Sequence, residues 1–130
     1  MKQYQCGRQS FVFDEMPVIA GWASVAGKKE SEGPLATFFD ITSKDAYFGQ
    51  RTWEQAERHM QELAIKTLSL KTNIPSKHFG LVCSGDLLNQ CIGSSFTLRN
   101  TGLPHLGLYG ACSTMAESLL IASMAVGGGF

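Results

Sequence analysis

The segment Gly110-Ala111-Cys112-Ser113-Thr114 carries a thiol between a short apolar run and a long apolar stretch. That order reads as strand, turn and helix, which sets the Cys112 sulfur beside a helix N-terminus. The helix dipole there favours a thiolate, and the same backbone N–H groups bind a carboxylate or an oxyanion. Small flanking residues let a ligand come close. Three roles fit: a buried structural thiol, a ligand-site thiol, or an acyl-accepting nucleophile. The last needs a base within hydrogen-bond reach. His59 is expected mid-helix, His78 in a helix–strand connection, and His105 at the far end of the strand leading to Cys112. None is a good partner, so no catalytic group is assigned and the expectation is a protein that is not an enzyme.

The elements that position this turn follow from periodicity. A helix is expected from Trp53 to Lys71, capped by Thr52 with Gln55 three residues on. Trp53, Ala56, Met60, Leu63, Ala64 and Thr67 give it one apolar face. Glu54 with Arg58, and Glu62 with Lys66, are expected to pair across its other face. Phe79 to Ser84 reads as a buried parallel strand closed by Gly85-Asp86. A second helix is expected over Asn89 to Arg99, a strand over Leu106 to Tyr109, and a third helix from Ser113 to Val126. Phe11-Val12-Phe13 is strand-like, Val18-Ile19-Ala20 forms a second apolar run beyond Pro17, and residues 27–50 are expected to be a long loop with a helical turn near Leu35 to Asp40. The fold class is α/β, a mainly parallel sheet with helices in the order βαβαβα, its crossovers right-handed. Ligands in such sheets sit at the carboxyl ends of the strands, here Ser84-Gly85-Asp86 and Tyr109 to Cys112.

The last helix is apolar on nearly every side: Met115, Ala116, Leu119, Leu120, Ile121, Ala122, Met124, Ala125 and Val126 leave only Glu117 and a few hydroxyls. Such a helix must be buried all round, and the layers this chain builds can cover one side. The other cover is expected from a second domain or a second chain, unless the 27–50 loop supplies it.

Eleven basic and eleven acidic residues cancel, which argues against a nucleic-acid partner. The cysteines Cys6, Cys83, Cys91 and Cys112 match no zinc spacing and are expected to be reduced thiols. No metal site and no cofactor are expected. The opening Met1-Lys2-Gln3-Tyr4 leads into no apolar stretch of signal-peptide type, and Leu119 to Val126 is too short for a membrane span.

Four segments in order carry a resemblance: Glu32-Gly33-Pro34-Leu35, Trp53-Glu54-Gln55-Ala56-Glu57-Arg58, Gly85-Asp86-Leu87-Leu88-Asn89-Gln90, and Gly110-Ala111-Cys112-Ser113-Thr114 followed by Glu117-Ser118. Together they resemble the stage V sporulation protein AD family, and the cysteine turn alone resembles that of thiolases and ketoacyl synthases. The resemblance implies the N-terminal half of a thiolase-like fold, a half-domain over residues 1–130 with the C-terminal half absent. It implies a sporulation role, binding dipicolinic acid or its calcium complex for uptake into the spore. The expected place is peripheral, on the cytoplasmic face of the inner forespore membrane, beside membrane proteins of the same operon. A homo-oligomer or a missing second half would supply the absent cover. The ligand-binding residues implied are Asp86, Asn89, Gln90, Cys112 and Ser113. Asp86 would repel a dianion unless calcium or a hydrogen bond intervenes, and it also reads as a helix N-cap. Asn89 and Gln90 also read as exposed helix residues. The alternative is half of an acyltransferase with Cys112 as nucleophile.

Overall fold

The computed structural model describes residues 3–130. Met1 and Lys2, part of the opening that reads as no leader, lie outside the described residues. An antiparallel hairpin comes first, β1 (Gln3–Cys6) and β2 (Ser10–Phe13), with Tyr4 opposite Val12 and Cys6 opposite Ser10. Its turn uses Gly7 at φ +66, where glycine meets no Cβ penalty. The Val18-Ile19-Ala20 run that follows is not a strand; Val18 and Ile19 point into solvent.

Residues 27–50 are more than a loop. Within them lie a single-turn helix α1 (Lys28–Ser31), a 3₁₀ turn at Ala36–Phe38, and a strand β4 (Ile41–Thr42) parallel to β3 (Val25–Ala26). The helical turn falls where the sequence places it. The strand pair escaped the pattern because two residues carry no period. Asp40 holds it together: its carboxylate accepts from the Ser24 N–H at 2.8 Å and from Lys71 Nζ at 2.8 Å.

Helix α2 (Trp53–Thr72) matches expectation closely. Thr52 Oγ1 accepts from the Gln55 N–H at 3.3 Å, while Gln55 Oε1 accepts from the Arg51 N–H, one residue earlier than a reciprocal capping box requires. Asn73 ends the helix in the left-handed conformation, φ +55. The expected surface pairs are replaced. Arg58 Nε bonds Glu62 at 2.9 Å, using the carboxylate meant for Lys66.

Strand β5 (Val82–Ser84), helix α3 (Ile92–Leu98) and strand β6 (His105–Gly107) form a second parallel unit. Helix α4 (Thr114–Gly127) follows, packed on β5. Helix α2 lies against both β3 and α3 and so joins the two parallel units. The architecture is mixed α/β with short parallel pairs, consistent with part of a thiolase-like fold. The single continuous sheet does not form: the described strands fall into three separate two-stranded sheets. Strands of two to four residues expose too few ladder groups to extend further.

Among the described residues the fully buried apolar side chains are Ala26, Ala56 and Leu98. The accessible surface is 9054 Å², against roughly 6,700 Å² for a compact monomer of this mass. Helix α4 contributes to that excess. Met115 is 72% exposed and Leu119 51%. The all-round burial that its composition calls for is therefore not reached within this chain, and the 27–50 segment does not cover it.

Candidate functional site

The carboxyl ends of β5 and β6 lie side by side. The Leu108 N–H donates to Ser84 O at 3.0 Å, and a Cβ on Gly85 would stand 1.8 Å from Leu108 O. Only glycine permits that approach. From here one chain segment leads to Asp86 and the other to Cys112.

Asp86 is 1% exposed. Its carboxylate accepts from the N–H groups of Gly93 and Ser94, the latter at 2.7 Å, and from Gln61 Nε2 at 3.2 Å. These donors are the open N-terminus of α3, so Asp86 caps that helix from six residues before its first turn. The hydrogen bonds needed to hold this charge are present, and they come from the protein itself. Gly93 fits the carboxylate as Gly85 fits the strand: an added Cβ would meet Asp86 Oδ2 at 3.0 Å.

Asn89 and Gln90 stand outside the helix expected to carry them. The Asp86 N–H donates to Gln90 O at 2.6 Å and the Ile92 N–H to Asn89 O at 3.0 Å, with Gln90 at φ +59. The segment is a tight turn, and α3 starts three residues later than the sequence suggests. The reason is that the loop's polar groups bond to one another and to Asp86 before the helix opens. Gln90 then shares an apolar groove with Cys91, Ile92, Phe96 and Tyr109.

Cys112 is exposed, so this chain by itself does not bury it as a structural thiol. It sits in a 3₁₀ turn, Ala111–Ser113, that runs directly into α4. Ala111 precedes it at φ +49, a conformation costly for a residue with a Cβ. Ser113 is occupied. Its hydroxyl donates to Gly110 O at 2.9 Å or to Glu117 Oε1 at 2.6 Å. Glu117 therefore folds back over the turn, and a Cβ at Gly110 would meet its Oε1 at 1.9 Å. The other thiols are also free; burial raises the pKa of Cys83. His105 Nε2 pairs with Ser84 Oγ at 3.1 Å and His59 with Glu62. Among the described residues no histidine bonds the Cys112 sulfur.

The structure thus brings the Asp86–Gln90 loop and the Cys112 turn to the same pair of strand ends. It does not bring Asp86 and Cys112 into one constellation. Three residues went unassigned in the sequence. Glu57 accepts from the Leu87 and Leu88 N–H groups at 2.5 and 3.2 Å, Gln61 reaches Asp86, and Glu117 bonds Ser113. Glu57 and Glu117 lie inside the segments that carry the family resemblance, which was a usable signal; Gln61 had none.

The family model for stage V sporulation protein AD matches residues 7–130. The chain belongs to the stage V sporulation protein AD family. The stage V sporulation protein AD of Bacillus subtilis (strain 168) is 37% identical over 124 residues, covering 95% of this chain and 37% of that protein. The chain therefore spans little more than a third of the length of this relative. Two of the segments that carry the resemblance are physical partners. The Trp53–Arg58 motif supplies Glu57, which holds the backbone of the Gly85–Gln90 motif. The Gly110–Ser118 segment holds itself, through Glu117, Ser113 and Gly110.

Proposed function

We propose that this chain is the N-terminal part of a dipicolinate-binding sporulation protein, and that it contributes the Cys112 turn and the Gln90 groove to the ligand site without doing chemistry itself. The observation that carries this is family membership together with an exposed Cys112 at the paired strand ends. The Phe96 and Tyr109 rings flank Gln90, a setting suited to an aromatic dicarboxylate: rings stack while the amide donates to a carboxylate. The Cys112 N–H would meet the second carboxylate, the Ser113 N–H being held by Gly110 O at 3.0 Å. Asp86, with its charge held by α3, keeps the loop in shape. Glu117 already stands at the start of α4, so a dianion arriving there displaces it or brings calcium. The protein is then peripheral on the cytoplasmic face of the inner forespore membrane, beside membrane proteins of the same operon. Among the described residues no helix is long and apolar enough to cross a membrane.

Calorimetric titration with dipicolinate, with and without calcium and with and without the rest of the family fold supplied, tests this. Saturable heat that Gln90→Ala and Cys112→Ala both diminish is the expected result. Absence of heat under every condition sinks the reading.

A second reading is acyl transfer with Cys112 as nucleophile, favoured by its exposed sulfur on the left-handed Ala111 turn. Alkylation by iodoacetamide followed against pH decides it. A Cys112 that stays unreactive up to about pH 8 is no nucleophile.

A further inference from the structure

A polar cleft lies away from the strand ends, along α2. Arg51, Gln55, Arg58, His59 and Glu62 line it, and Gly49 and Gln50 overhang it. Positions 55, 58, 59 and 62 recur at helical spacing on one face of α2, and Arg51, two residues before the helix begins at Trp53, joins them from its N-terminal side. The wall is pre-set. Gln55 Oε1 draws the Arg51 N–H down at 3.3 Å, and Glu62 fixes Arg58 at 2.9 Å and His59 at 3.5 Å. Glu62 engages Arg58 through Nε, which leaves the two terminal nitrogens of that guanidinium for another acceptor. Among the described residues no hydrogen bond engages the Arg51 guanidinium. Two permanent positive charges thus stand against one carboxylate in a concave site.

We infer that this cleft binds a small oxyanion, a phosphate or a dicarboxylate, between the Arg51 and Arg58 guanidinium groups. Planar forks of donors match such anions two bonds at a time. Gln50, Gln55 and His59 supply further donors around the rim. The site is separate from the Cys112 turn and stands or falls independently of dipicolinate binding there.

The full chain labelled with ¹⁵N is titrated with inorganic phosphate and, separately, with malonate, following the Nε–H signals of its arginines. Saturating shifts at Arg51 and Arg58, with Arg8 and Arg99 unmoved, are expected with at least one anion, and the better anion names the source. Arg51→Gln should weaken binding about tenfold, the worth of one charged hydrogen bond. Glu62→Gln, which removes the competing carboxylate, should tighten it and serves should Arg51→Gln fail to fold. Linear shifts of equal size at all four arginines, or affinities that neither variant changes, overturn the inference.

Discussion

Asp86 shows how one residue's chemistry can leave two roles open. A carboxylate just after a strand reads equally as ligand or as cap, and the fold commits it to capping. Its two backbone partners, Gly93 and Ser94, are themselves buried. Asp86→Ala leaves both N–H groups without an acceptor, at an expected cost of about 2–4 kcal/mol in urea unfolding. Asp86→Asn keeps one acceptor oxygen and should cost less. Were Asp86 a ligand group instead, Asp86→Ala would change dipicolinate affinity and leave the unfolding midpoint where it was.

At the scale of elements, the β3–β4 pair is held by polar contacts more than by its own two-residue ladder. Asp40 is kept below its ordinary value of 3.8, chiefly by the hydrogen bond from Lys71 and then by the Ser24 N–H. Asp45 is likewise lowered, by the N–H groups of Tyr47 and Gly49. A carboxylate whose folded pKa is depressed stabilises fully above its unfolded value, and that stabilisation is lost as pH falls through the folded one. The β3–β4 unit should therefore loosen below about pH 4. Lys71 also lies over the Trp22 ring, 5.3 Å from its centre, so Trp22 fluorescence reports the change. In Asp40→Asn the emission should already be shifted at neutral pH, and its acid transition should shrink. An acid transition identical to that of the unsubstituted chain would show that Asp40 does not hold the unit.

For the whole molecule, uncovered surface is the dominant fact. The excess of roughly 2,300 Å² over a compact monomer is of the size that obligate partners bury. Met115, Leu119, Leu120 and Val126 of α4, all exposed, contribute to it. We propose that a second half of the family fold, or a second copy of this chain, covers α4. Sedimentation of the chain alone should show self-association. Met115→Lys with Leu119→Lys should reduce it while leaving the helix signal in circular dichroism intact. A monomer in both cases would rule out a second copy as the cover and leave the second half of the family fold.

Local chemistry settled much in advance. The boundaries of α2 follow from Thr52, Asn73 and a regular apolar face. The β5–α3–β6–α4 order follows from short apolar runs between glycines, and the exposed apolar helix announces its need for a cover by composition alone. Family kinship was legible in four motifs. Other features depend on groups distant in sequence. The β3–β4 pair depends on Asp40 meeting Ser24 and Lys71, and the late start of α3 on Asp86 reaching Gly93 and Ser94. The loss of Ser113 as a free donor depends on Glu117 folding back across the turn. A hydrogen bond satisfies whichever partner the packed backbone brings within about 3 Å, and spacing along a chain does not specify that partner until tertiary structure has formed.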